Sequence, residues 1–292
     1  KGKERVGKER KGWERKGKGG KGKERKGKER KGRLVLTVLL VIGGLRLLTW
    51  NGGAGNILKN GMEAVSERIS LGQDQFLKNE DGTYPDQLVE LAKKNRETRQ
   101  FVKDYPENAG KKQKIKLTNE DLKGNQGSSV PLLVQWDERW GYRQYGNDFM
   151  ALTGCGPTCL AMVAESRGET KWNPWRVAKM AQRNGYYVDG QGSAWSLMTE
   201  GAAKMGLNGT EMSCDAETIR RTLEDGHVII CAMRPGDFTT AGHFLVLAGV
   251  TQDGEVIIND PNSRKNSRRT WDLERQRQHF DKPVSRSNLK TC

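Results

Sequence analysis

Histidine is scarce in this chain: only His227, His243 and His279 are present, and none stands at metal-ligand spacing from another histidine or from a cysteine. A zinc centre needs three or four such ligands at recognisable spacings, so no metal and no other cofactor is expected. Cysteine is sparse as well. Cys155, Cys159, Cys214, Cys231 and Cys292 are odd in number and scattered through 292 residues, far from the density of a disulfide-held scaffold. No apolar run reaches the ~20 residues of a spanning helix. The apolar stretch nearest the N-terminus, residues 34–45, is twelve residues without a charge. A charge field over the main body is also lacking, although the formal net charge is +15. Residues 1–33 hold 17 Lys/Arg against 5 Glu, whereas the remaining 259 residues hold 34 basic and 31 acidic groups. The basicity belongs to the tail, so the body gives no reason to expect nucleic-acid binding.

The chain divides by composition. Residues 1–33 repeat KGKER-like units with almost nothing apolar to bury, so a disordered basic tail is expected there. Within residues 34–50, the twelve uncharged residues 34–45 have the length of a secretory h-region, with a basic flank before them and Gly52, Gly53 and Ala54 after the segment. A signal peptide or membrane anchor is expected, with positive charge holding the N-terminal side in the cytoplasm and the rest exported. Residues 51–127 are polar, either a stalk or a subdomain packed on the C-terminal domain. Within them Leu88, Leu91, Ala92, Phe101 and Val102 fall at helical spacing, predicting a helix over 85–105 that Pro106 ends, and 111–129 reads as a linker.

From residue 128 to 292 the texture is that of a packed domain. The pattern predicts a strand over 130–134, then helices over 157–165, 174–183 (cap Asn173), 194–205 (cap Ser193) and 216–225 (cap Asp215, Gly226 past the end). Strands come next over 228–233, 244–250 and 255–259, the last two forming a hairpin around Asp253-Gly254. Helices before antiparallel strands is an α+β order.

The chemistry starts at Gly154-Cys155-Gly156-Pro157. Small residues and a proline open an apolar helix, placing Cys155 at the positive end of a helix dipole, where a thiolate is favoured. A nucleophilic thiol also needs an imidazole and a group to orient it. His243 heads one strand of the hairpin and Asp260 ends the other. A strict two-residue turn would set Asp260 opposite Leu247, roughly 13 Å along the strand from His243 and out of reach. A loop over 251–254 would set it opposite Leu245, about 7–8 Å diagonally from His243. The pairing therefore requires the longer loop or a bulge. Gln135 is the candidate oxyanion donor, alongside the backbone N–H of Cys155. Cys159, one turn further on the apolar face, reads as packing.

Four stretches in order carry a resemblance: Val130 to Trp140 (VPLLVQWDERW), Thr153 to Met162 (TGCGPTCLAM), Thr240 to Phe244 (TAGHF) and Ile258 to Ser263 (INDPNS). The chain resembles the C39-like cysteine peptidases over about residues 128–272, in the form of a lone peptidase domain without the segments of an ABC transporter. The resemblance implies a papain-like α+β fold, with a central helix bearing the cysteine packed on an antiparallel sheet bearing His and Asp. It implies Cys155 as nucleophile, His243 as base, Asp260 as orienting acid and Gln135 as oxyanion residue, acting on a peptide or protein substrate. Members of this kind are typically exported bacterial proteins, which agrees with an anchored or secreted cell-surface location. The competing expectation is a catalytically silent module on the same fold, binding peptide or wall ligands through Trp136, Trp140 and Trp195.

Overall fold

The computed structural model describes residues 75–111, 113–276 and 289–291. The expected tail 1–33, the signal or anchor segment 34–50, His279 and Cys292 lie outside them. Among the described residues no helix is long and apolar enough to cross a membrane.

The helix expected over 85–105 is three pieces: α1 (Asp86–Lys94), α2 (Arg99–Lys103) and α3 (Tyr105–Asn108). Asn95 makes the break. Its backbone is extended, and its side chain accepts a hydrogen bond from Glu97 N, opening a 3-10 turn at Arg96–Thr98. A carboxamide that competes for backbone donors favours a cap over a continuous helix. Leu88, Ala92, Phe101 and Val102 are buried together with Val134, Trp136, Phe149 and Ala151. Residues from Gln75 onward thus belong to the same compact unit as the domain, and the described part of the polar segment is packed, not a stalk. The stretch after it is tied down as well. Arg139 Nη2 pairs with Asp121 and Asp137, each at 2.7 Å, and Asn125 Nδ2 donates to Asn259 Oδ1 at 2.7 Å.

No strand forms over 130–134; Pro131 makes only an isolated bridge to Gly124, while Val130, Leu133 and Val134 are buried. A small hairpin, β1 (Gln144–Tyr145) and β2 (Asp148–Phe149), turns at Gly146 and runs into α4 (Met150–Thr153) and α5 (Cys155–Ser166). Every residue from Gly156 to Glu165 is buried, so α5 is apolar on all sides and must be surrounded. One neighbour is α6 (Pro174–Arg183), whose Val177, Ala178 and Ala181 face it, with Asn173 Oδ1 capping Arg176 N at 3.0 Å as expected. After it come β3 (Tyr187–Val188) and β4 (Gly192–Ser193). The helix expected over 194–205 is instead a 3-10 turn (Trp195–Met198) and a short α7 (Glu200–Ala203). Ser193 does not cap it, because its hydroxyl meets the Tyr145 hydroxyl at 2.9 Å.

The remaining elements are β5 (Gly209–Glu211), α8 (Ala216–Glu224), β6 (Val228–Met233), β7 (His243–Val250), β8 (Val256–Asn259), α9 (Arg264–Ser267), β9 (Thr270–Trp271), α10 (Leu273–Gln276) and β10 (Leu289–Thr291). Asp215 caps α8 through Thr218 N, as its position predicts. The main sheet runs β5-β10-β6-β7-β8-β9. The strands carrying His243 and leading to Asp260 are antiparallel, but β10 lies parallel to both β5 and β6, so the sheet is mixed where a wholly antiparallel one was expected. Alternation along the strands divides the core. Val228, Ile230, Phe244 and Val246 pack towards α5, while Ile229, Cys231, Leu245 and Leu247 pack with Ile219 and Leu223 of α8. The result is an α+β domain with helices on both faces of the sheet.

Gly156 shows how tightly α5 is seated. A Cβ there would lie 2.7 Å from Ser193 Oγ and 2.8 Å from Ser193 Cβ. Gly156→Ala is expected to lower stability by about 1–3 kcal/mol through overpacking, read as a drop in thermal midpoint, and Ser193→Gly in the same chain to restore part of it. An unchanged midpoint for the single variant would contradict this packing.

Candidate active site

Cys155 is the first residue of α5, at the end where backbone N–H groups lack intrahelical partners and the dipole is positive. His243 is the first residue of β7 and is paired to Met233 of β6. Asp260 comes directly after the last residue of β8. Their meeting depends on the register of the β7–β8 hairpin. Val250 pairs with Val256, and Thr251 N donates to Glu255 O, so the connection is five residues and not the two of a tight turn. Gly249 pairs with Ile257 but Leu247 with Ile258, so Ala248 is a bulge. Beyond it Val246 faces Asn259, and the next step puts Asp260 opposite Leu245, two residues from His243. Longer loop and bulge are both present.

His243 Nε2 lies 2.8 Å from Asp260 Oδ1. With Nε2 committed to the carboxylate, Nδ1 is the nitrogen left for Cys155, whose thiol hydrogen-bonds the ring. Burial opposes charge on both groups. For Cys155 it is outweighed by the hydrogen bond and charge of His243, with help from the backbone of Phe244 and Gly156, and the thiol is held below its ordinary range. For His243 it is outweighed by Asp260 and then by Cys155, and the imidazole is pushed up to about 10. The two shifts point the same way, each favouring the charged form of its group beside the other. Cys159, one turn along α5, moves the other way. Burial, and then the charges of Cys155 and Asp260, raise its thiol well above the ordinary range. It belongs to the core cluster, as expected.

Asp260 is 0 % exposed. A buried carboxylate must be fully hydrogen-bonded, and its partners come from the loop immediately after it. Asn262 N donates to Oδ1 at 2.8 Å, Asn266 Nδ2 donates to Oδ2 at 2.9 Å, and Asp260 N reaches Ser267 Oγ at 2.8 Å. That loop is pinned in turn by the N-terminal segment. Ser263 Oγ donates to Glu97 Oε1 at 2.5 Å, Lys265 N donates to Glu97 Oε2 at 3.1 Å, and Asn95 Nδ2 donates to Asn262 O at 2.7 Å. No local pattern in the sequence marks these residues, since their role depends on contacts about 166 to 168 positions away.

Gln135 is buried close by, its backbone N donating to Pro261 O at 2.8 Å. Its side-chain amide nitrogen, however, donates to Ala151 O at 2.8 Å and Leu152 O at 3.2 Å, while Oε1 is buried without a partner among the described residues. The amide hydrogens expected at an oxyanion are therefore engaged with the backbone of α4. The tryptophan surface expected of a silent binding module does not exist as such. Trp140 is fully buried with its Nε1 on Val134 O, Trp136 is buried with its Nε1 on Asn262 O, and Trp195 alone of the three is exposed.

Cys155 and His243 sit in a cleft of about 560 Å³, lined also by Val188, Gln191, Trp195, Ala232, Gly242 and Phe244. A polarised thiol beside an oriented imidazole at an open cleft can attack a carbonyl carbon and return a proton to its leaving group. Among the described residues no cluster of His, Cys, Asp and Glu could hold a metal ion.

Comparison with known families matches residues 128–285 to the model of the Peptidase C39 like family. No curated protein matches the chain.

Removing the Glu97 carboxylate would release the loop behind Asp260. Glu97→Ala is expected to cost about 1–2 kcal/mol for two hydrogen bonds and to raise the pH at which Cys155 is half alkylated. Glu97→Gln, which keeps an acceptor, should recover most of both. A loss of stability with no movement of the alkylation profile would show the contact to be structural only.

Proposed function

The chain belongs to the Peptidase C39 like family, and on that premise we propose that it is a thiol hydrolase cleaving peptide or amide bonds through an acyl-enzyme at Cys155. The observation that carries the proposal is the His243–Asp260 contact at 2.8 Å beside a cleft-facing Cys155 at a helix start. The same arrangement, a cysteine on a central helix against a sheet carrying His and Asp, supports a papain-like reading of the fold.

Cys155 thiolate attacks the carbonyl carbon, forming the S–C bond and a tetrahedral oxyanion. The first-turn N–H groups of α5 are placed to stabilise that charge. Gln135 joins them only by turning its carboxamide away from the carbonyls of Ala151 and Leu152. As the C–N bond breaks, His243 imidazolium gives its proton to the leaving amine. Water then attacks the thioester, His243 takes its proton, and the carboxylic acid leaves with Cys155 restored as thiolate. Asp260 keeps the ring oriented and stabilises its positive charge, without itself taking the proton. Export fits this reading: residues 34–50 would carry the enzyme to the membrane as signal or anchor, placing the peptidase at the cell surface.

Iodoacetamide at neutral pH is expected to alkylate Cys155 ahead of the partly exposed Cys214, with the site read by mass spectrometry of the full chain. His243→Ala should slow that labelling about 10²-fold or more, and Cys155→Ala should abolish turnover of any peptide that wild type cleaves. Equal labelling of Cys155 and Cys214 would sink the proposal. The reactive form needs thiolate and imidazolium together. Activity should therefore rise with pH through a midpoint below the ordinary thiol value and fall as His243 loses its proton near about 10. A profile that rises only above the ordinary thiol range would contradict the ion pair.

A further inference from the structure

The cleft around Cys155 differs in chemistry from two other cavities formed by the described residues. One of about 390 Å³ against α6 is lined by Lys171, Arg176, Lys179 and Arg183. Another of about 530 Å³ beside α2 is lined by Glu97, Asp137, Arg139 and Arg264 among others. The Cys155 cleft has no Lys, Arg, Asp or Glu in its lining. Trp195, 36 % exposed, is the large hydrophobic side chain left open to solvent among the described residues, and it stands on this cleft's wall. It is held, not loose: its ring meets Phe244 edge-on at 5.8 Å and 75°, and Phe244 is the residue after His243. The aromatic wall is thus tied directly to the strand that carries the base. Gly190 and Gly242 both line the cleft, and a Cβ at either would meet nothing within 4 Å, so neither position narrows it with a side chain.

We propose that Trp195 is the specificity-determining residue of the cleft and that the substrate is a peptide with an uncharged apolar side chain, aliphatic or aromatic, beside the bond that is cut. The inference rests on Cys155 being the nucleophile. Its physical basis is desolvation. An apolar side chain laid on the exposed ring of Trp195 leaves water for a matching surface. A carboxylate or ammonium in the same place loses hydration and meets no counter-charge. The discrimination of a hydrophobic site is moderate, ~10–200-fold for differences of a methylene or so, and exclusion of charge adds to it.

The test uses the full chain and covalent probes that need no known substrate: acetyl-dipeptidyl chloromethyl ketones ending in Phe, Leu, Ala, Lys or Asp, with iodoacetamide as a control that has no side chain to recognise. Wild type is expected to be inactivated by the Phe and Leu reagents at least about 10-fold faster than by the Ala, Lys and Asp reagents. Trp195→Ala should bring the Phe and Ala rates together once each is divided by that variant's own iodoacetamide rate, and Trp195→Phe should keep part of the preference. Equal rates for all reagents on wild type, a preference for Lys or Asp, or a preference that survives in Trp195→Ala would each overturn the proposal. Failure of the underlying reading would look different, because iodoacetamide itself would then not select Cys155.

Discussion

A carboxylate with no exposure to water is the constraint around which this domain is arranged. Asp260 needs a cationic or donating partner on each oxygen, and it obtains them from His243 and Asn262 on Oδ1 and from Asn266 on Oδ2. Each contact sets a demand elsewhere. The histidine contact fixes the β7–β8 register, and that register needs an extra residue at Ala248 to move the strand end by one place. The two asparagine contacts need a tight loop closed by the Ser267 hydroxyl. That loop rests on Asn95 and Glu97. The break in the N-terminal helix at Asn95 then has a reason: the same side chain that caps the 3-10 turn through its oxygen uses its nitrogen on the Asp260 loop. A segment upstream of the residues matched by the family model is thereby part of what holds the site.

Much of this domain was legible from local pattern. α6, α8 and β6 appear at or within a residue of the expected limits, because each has a short-range determinant: Asn173 and Asp215 as caps, and an unbroken apolar run at residues 228–233. The requirement for a longer loop or a bulge in the hairpin came from counting residues between His243 and Asp260. The expectations that failed were decided by distant contacts. The helix over 194–205 was lost because Ser193, its expected cap, is held by Tyr145, 48 positions away. The strand over 130–134 gives way because the carbonyls of Val130 and Pro131 are taken by the Asn259 side chain instead of a strand partner. Parallel pairing of β10 has no sequence signature, since the residues before it are polar and its partners lie 80 and 61 positions upstream, Gly209 and Val228 facing Leu289.

Gln135 divides the two kinds of inference. Its type and position near Cys155 were readable, and the structure does bring it to the site. The direction of its carboxamide was not, because the carbonyls that hold its amide nitrogen belong to residues 16 and 17 positions away. The amide nitrogen turns to Ala151 and Leu152, at the end of the helix that leads into α5, and the orphaned oxygen is the cost of that choice.

Two cysteines one turn apart on a single helix show how little of reactivity resides in the residue itself. Cys155 and Cys159 share the helix, its dipole and a surrounding of low polarity, and burial raises both thiols. The charge that each one meets is what separates them. Cys155, at the helix start, meets the His243 imidazolium, and attraction exceeds the penalty of burial. Cys159, a turn deeper, meets only the negative charges of Cys155 and Asp260, which add to that penalty. The thiolate formed at the first position is thus itself a reason for none to form at the second. The thiolate is favoured at the cleft-facing sulfur and the thiol at the core one, although both stand on a single helix.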